Sequence, residues 1–156
     1  MIAVGIIPAR YASTRFPGKP LVDIGGKSMI QRVYEQASKA LEFVYVATDD
    51  QRIFDHVEGF GGKVIMTLAT HKSGTDRCAE AVRKIQAEIS QKITVVINIQ
   101  GDEPFIKPEQ LRLLKSCFED ENVQLATLSK IIDNAEELFN PNVVKVVRDK
   151  DNKALY

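Results

Sequence analysis

Apolar residues along this chain fall into two rhythms. Short, nearly solid runs at 3–7, 43–47, 64–66 and 94–99 predict strands. Between them the apolar positions recur at helical spacing. Met29, Ile30, Val33, Tyr34, Ala37 and Leu41 share one face of a first helix, with Ser28 as its N-cap and Gln31 at capping-box distance. Ser73 opens a second long helical stretch, with Asp76 three residues on and Ala79, Val82, Ile85 and Ile89 along one stripe. Pro108 fits a first-turn position ahead of Leu111, Leu114 and Phe118. The alternation of strand and helix is that of a mostly parallel sheet in an α/β fold. Two or three more candidate strands follow, at 124–131, 143–148 and 154–156. The last begins where the sequence stops, an apolar pattern without a terminator, so the chain is expected to be truncated at its C-terminal end.

Composition narrows the class. The 156 residues, 44% of them apolar, suffice for one domain with a real core. Basic and acidic side chains number 21 each, so no global field gathers nucleic acid or an anionic membrane, and any anion must be held by a local cluster. The opening Met1-Ile2-Ala3-Val4-Gly5 lacks the basic flank and long apolar core of a signal peptide, and no apolar run reaches membrane-spanning length, so a cytosolic protein is expected. Cys78 and Cys117 have no close-spaced partner, which argues against a zinc site or a disulfide scaffold and for small buried apolar residues.

The densest candidate chemistry follows the first strand. Arg10, Arg15 and Lys19, with the hydroxyls of Ser13 and Thr14 and a glycine at 18, form a cationic collar suited to phosphate oxygens, and the implied ligand is a nucleoside triphosphate. It is not a Walker A loop, because Pro20 follows Lys19 where Ser or Thr is required. Gly25-Gly26-Lys27-Ser28 has Leu21 in place of the first P-loop glycine, and the glycines at 59, 61 and 62 miss the dinucleotide spacing at Val64.

In a parallel sheet, ligands collect beyond the carboxyl ends of the strands. Three polar segments are expected there: 10–19, 71–77 and 100–103, and they should face one cleft. Asp102 is the metal-ligand candidate, since a hard carboxylate at a strand end beside a triphosphate is what Mg²⁺ uses while keeping several waters. Glu103 is the weaker choice because Pro104 turns the chain. Ser73-Gly74-Thr75 caps a helix, and that same N-terminus can offer donors to a ligand. His71 reads as a loop residue rather than a base, and His56, in a helical pattern, as structural.

These segments resemble a known family. Ile7-Pro8-Ala9-Arg10 with Ser13, Arg15 and Pro17-Gly18-Lys19-Pro20-Leu21 is similar to the start of bacterial cytidylyltransferases. His71-x-Ser73-Gly74-Thr75-Asp76-Arg77, Asn98-x-Gln100-Gly101-Asp102-Glu103-Pro104 and Asn142-Val143-Val144-Lys145-Val146-Val147 narrow the resemblance to the 3-deoxy-manno-octulosonate cytidylyltransferase (CMP-KDO synthetase) family, across residues 2–156. The resemblance implies a three-layer α/β sandwich of the nucleotide-diphospho-sugar transferase type with a mostly parallel (mixed) sheet. Residues 1–156 would form the N-terminal, CTP-binding part of a nucleotidyltransferase domain. It further implies coupling of CTP to the acid sugar KDO, giving CMP-KDO and pyrophosphate for lipopolysaccharide assembly in a bacterial cytoplasm, by a homodimer.

On the same resemblance, Arg10, Lys19 and Asp102 carry catalysis. Arg10, Ser13 and Lys19 contact the CTP phosphates, with Ala9 and Arg15 in the same substrate-binding set. Ser73, Gly74 and Arg77 help enclose the cytidine, Gln100 touches the sugar, and Asp102 holds Mg²⁺. The family chain continues past 156 into a region supplying a second metal carboxylate, more sugar contacts and the main dimer surface. The rivals are a cytidylyltransferase for another sugar acid, such as sialic acid, and a non-catalytic CTP-binding module.

Overall fold

Four parallel strands form the sheet in the computed structural model, which describes residues 1–12 and 16–156. They are β1 (Ala3–Ala9), β2 (Phe43–Thr48), β3 (Val64–Met66) and β4 (Val95–Asn98), in the order β3-β2-β1-β4. All four runs read as strands in the sequence form them, β1 extending two residues further than its apolar core. Within the described residues every strand pair is parallel, and antiparallel pairing is confined to isolated bridges.

The helices are α1 (Met29–Ser38), α2 (Gln51–Gly59), α3 (Gly74–Glu88), α4 (Pro108–Ser116) and the short α5 (Ala135–Phe139). Alternation along β1 sorts them into layers. Ile7 and Ala9 join Ile30 and Val33 of α1, Ile53 and Val57 of α2 and Leu111 of α4 in one cluster, while Val4 and Ile6 join Cys78, Ala81 and Ile85 of α3 in another. A central parallel strand covered on both faces must be apolar at successive positions, and residues 3–7 are all buried. Gly5 lies on the α1 side, where a Cβ would stand 2.8 Å from Leu41 Cδ1 and 2.9 Å from Ile99 Cδ1, so neighbouring side chains fill the space its own would take.

The expected caps are present. Ser28 Oγ accepts from Gln31 N (3.2 Å) at α1, and Ser73 Oγ accepts from Asp76 N (3.1 Å) at α3. The Gln31 side chain does not close a capping box; its amide donates to Glu35 Oε1 (3.0 Å). His56 serves structure, as read: Nε2 lies 2.7 Å from Ser28 Oγ and its ring meets Phe60 edge-on. Cys78 is buried and its thiol is pushed up to about 11 by that burial, which keeps it a small apolar group. Cys117 is only partly buried.

The chain divides into two units, 1–124 and 125–156. The second corrects the reading of its apolar runs. No strand forms at 124–131, and of the runs at 143–148 and 154–156 only an antiparallel bridge between Arg148 and Ala154 appears, closed by Leu155 N donating to Val147 O (2.8 Å). None of residues 125–156 is buried, and Leu125, Ile131 and Val144 are largely exposed. A strand is stabilised by a hydrogen-bonded neighbour and a covered face, and β propensity without either does not produce one.

Candidate active site at the switch point of the sheet

From β1 the chain moves outward through β2 to β3, then returns by way of α3 to place β4 on the other side of β1. The order of connection reverses between β1 and β4, and the crevice beyond their carboxyl ends is where an open α/β sheet presents its ligand site. Ala9-Arg10 leaves β1 there. Gln100-Gly101-Asp102 leaves the β4 side there, held by Ile99 N donating to Ile6 O (2.8 Å). Gly101 permits the close approach: a Cβ on it would stand 3.2 Å from Pro8 O. Gly74, at the start of α3, likewise lies against Pro8, its would-be Cβ 3.3 Å from Pro8 Cγ.

The three polar segments therefore meet. Ala9, Arg10, Ser73, Gly74, Arg77 and Gln100, with Pro8, His71 and Lys72, line one hollow of about 160 Å³. A wider, open hollow of about 400 Å³ begins at Asp102 and runs along 103–107 to Gln110. Lys19 Nζ donates to Asp102 Oδ2 at 2.7 Å, both side chains being partly exposed at 37% and 51%. Among the described residues Arg10 has neither a hydrogen bond nor an ion pair to another side chain. Ser13 and Arg15 lie outside the described residues.

Arg77 faces inward. It is 3% exposed, with Nη1 donating to Thr67 Oγ1 (2.5 Å) and Nη2 to Asp49 Oδ2 (2.8 Å), so it ties α3 to the carboxyl ends of β2 and β3 while forming part of the hollow's wall. Glu80, one helical turn on, supports the same wall. Its carboxylate accepts from Lys84 Nζ (2.8 Å) and Leu68 N (3.0 Å) and pairs with His71 Nε2. The bonds from Lys84, then His71, then the Leu68 amide hold its carboxyl down at about 2, against an ordinary 4.5. The 71–73 loop is thus pinned to α3 by a buried carboxylate.

That pin has a pH signature. The folded carboxyl stays ionised where the unfolded one takes up a proton, so Glu80 stabilises the fold above about pH 4.5 and loses this contribution as pH falls toward 2. Urea midpoints should drop across that window, and Glu80→Gln should flatten the drop there; an unchanged pH slope in the variant would remove Glu80 from this role.

Asp49, Glu80 and Thr67 were missed by the sequence reading. Asp49 directly follows a strand, the same signal that singled out Asp102. Glu80 and Arg77 interrupt the buried stripe of α3, and charges on a buried face announce a paired network.

As to a metal, the described residues contain no group of three or more His, Cys, Asp or Glu able to hold an ion without help. One partly exposed carboxylate at a strand end beside a lysine fits a hard cation that arrives with substrate phosphates and keeps its waters, and does not fit a protein-built cage.

Fold and rim together define an α/β protein with Arg10, Lys19 and Asp102 at the switch point of its parallel sheet. The cytidylyltransferase family profile matches residues 4–156, and the chain belongs to that family. It is 58% identical to the 3-deoxy-manno-octulosonate cytidylyltransferase of Parabacteroides distasonis, over 98% of this chain and 61% of the relative. Identity to the enzyme of that name from Thermodesulfovibrio yellowstonii is 53%, over 100% of this chain and 63% of the relative. A solved structure of CMP:2-keto-3-deoxy-manno-octonic acid synthetase complexed with CTP superposes with a TM-score of 0.90 at 46% identity, across 100% of this chain and 63% of that one. The chain thus spans about three fifths of the length of these relatives.

Proposed function

We propose that this chain is the nucleotide-binding portion of a 3-deoxy-manno-octulosonate cytidylyltransferase, an enzyme that joins CTP to KDO and releases pyrophosphate. The observation that carries the proposal is the junction of Lys19 and Asp102 at the switch point, with Arg10 lining the neighbouring hollow, in a chain whose relatives bear that name over nearly all of its length.

In this reading the anomeric hydroxyl oxygen of KDO bonds to the α-phosphorus of CTP, the bond from that phosphorus to the bridging oxygen breaks, and pyrophosphate leaves with the electron pair. The hydroxyl proton is released to solvent. Arg10 and Lys19 hold the phosphates and stabilise the charge that builds on them. Ala9, Ser73 and Gly74 form the wall of the hollow for the nucleoside, and Gln100, lining the same hollow, takes a sugar hydroxyl. Ser13 and Arg15 belong to the phosphate collar by sequence. Arg77 shapes the hollow from behind. Asp102 is the residue to hold Mg²⁺, which when bound supplies Lewis-acid neutralisation of phosphate charge.

On this reading the protein acts in lipopolysaccharide precursor synthesis, in the cytoplasm, as a homodimer. Among the described residues no helix is long and apolar enough to cross a membrane.

Pyrophosphate release measured with CTP, Mg²⁺ and a panel of sugar acids tests the reading. KDO-dependent release is expected. Release with sialic acid and not KDO would reassign the sugar, and CTP binding without release on any acid would reduce the chain to a binding module.

A further inference from the structure

Lys19 can meet a phosphate only if the backbone beneath it is fixed, and that backbone is held by contacts outside both hollows. Lys19 begins a short 3₁₀ turn, Lys19–Leu21, whose cap is Gly18 at φ 72°, a left-handed conformation that favours glycine. Gly18 N donates to Tyr11 O (2.9 Å), and Leu21 N donates to Gly18 O (2.9 Å). The phenol end of Tyr11 lies against this glycine: a Cβ at 18 would stand 3.1 Å from Tyr11 Cζ. The ring face is covered by the guanidinium of Arg52, whose Cζ is 3.3 Å from the ring centroid.

Arg52 is itself held in place. Its Nε donates to Asp50 Oδ1 (2.9 Å) and its Nη2 to Asp50 Oδ2 (2.6 Å), while Asp50 Oδ1 also accepts from Arg52 N (3.0 Å) as the N-cap of α2. A bidentate pair fixes the plane of a guanidinium as well as its place, which a lysine ammonium cannot do. Asp50 sits two residues beyond β2, so a chain of contacts runs from the sheet through Asp50, Arg52, Tyr11 and Gly18 to Lys19.

We propose that Arg52 and Tyr11 are positioning residues for the phosphate-binding lysine, clamping the base of its loop to the start of α2. The proposal rests on reading Lys19 as a phosphate ligand. Arg52 touches neither hollow, and its side chain is 59% exposed, so its removal should leave the core intact. A stack of this kind is worth a factor of about two to thirty in an equilibrium, and CTP affinity should move within that range.

CTP binding by calorimetry, melting temperature and amide hydrogen exchange over residues 16–22 would be measured on the wild-type chain, Arg52→Ala, Tyr11→Phe, Tyr11→Leu, Lys19→Met and the Arg52→Ala/Lys19→Met double variant. Arg52→Ala and Tyr11→Leu should each weaken CTP binding about threefold to tenfold and speed exchange over 16–22, with Tyr11→Phe near wild type because the ring face is kept. In the Lys19→Met background, Arg52→Ala should cost nothing further. Equal CTP affinity in wild type and Arg52→Ala, unchanged exchange at 16–22, or an undiminished Arg52→Ala effect without Lys19 would each overturn the clamp. A wild-type chain that binds no CTP would instead overturn the nucleotide reading, and the clamp's role with it.

Discussion

Replacing Asp102 with asparagine is expected to lower pyrophosphate release by about a hundredfold or more, the usual cost of removing one charge contact from a phosphoryl-transfer site, while CTP binding without metal holds or improves. The second half of this expectation comes from the ion pair. Lys19 is bonded to the Asp102 carboxylate, so the cation proposed here for phosphate is partly occupied by its neighbour. Exposed pairs of this kind contribute about 0.2–1 kcal/mol, so freeing Lys19 should tighten metal-free CTP binding by up to about fivefold. Asparagine also removes a negative charge close to the triphosphate, and the Lys19→Met background separates the two effects: a gain due to a released lysine vanishes there, whereas a gain due to lost repulsion persists. Near-normal release by Asp102→Asn, with Mg²⁺ dependence unchanged, would refute the carboxylate's part in the reaction.

Arg77→Met should act on the fold before it acts on the ligand. The guanidinium is almost wholly buried and donates to Asp49 and Thr67, joining α3 to two strand ends. Removing the buried partner leaves the half-buried Asp49 charge and the Thr67 hydroxyl uncompensated, at a cost of up to about 3 kcal/mol. Thermal or urea unfolding would show this directly. The double variant Arg77→Met/Asp49→Asn, which removes the stranded carboxylate charge, should recover part of the loss. If Arg77→Met unfolds like wild type and only CTP affinity falls, the arginine is a ligand contact and the tie to Asp49 is incidental.

These two residues also show where the sequence was informative. Asp102 was legible because its position is local information: an apolar run followed by Gln-Gly-Asp-Glu-Pro states that a carboxylate stands at a strand end. Arg77 was legible as part of a polar segment, yet the direction of its side chain depends on which face of α3 meets the sheet, and on Asp49, 28 residues away in sequence. Spacing alone does not report that. The Tyr11–Arg52 stack is of the same kind, since nothing near Tyr11 in sequence announces an arginine from α2.

The runs beyond residue 124 mark the opposite failure. Their alternation and β-branched content are real, and they predict strands on local grounds, but strand formation is settled by neighbours, and residues 125–156 bury none of their apolar side chains. In β1 the same content gave a strand because β2 and β4 flank it and helices cover both of its faces.

By itself, then, the amino-acid order determined the strands of the first unit, the caps of α1 and α3, the face that α1 buries and the residue types offered to an anion, because each depends on periodicity or on contacts within one turn; on α3 the stripe read through Ala79 and Val82 is displaced, Ala79 being exposed while Cys78, Ala81 and Ile85 are buried. Tertiary structure alone decided that β4 returns to lie beside β1. That crossover brings Lys19 and Asp102, 83 residues apart along the chain, to 2.7 Å. It also turns Arg77 inward and sets Arg52 over Tyr11. The physical reason is that charge chemistry acts over a few ångströms of space, and only the packing of helices on the sheet converts distance along the chain into distance of that size.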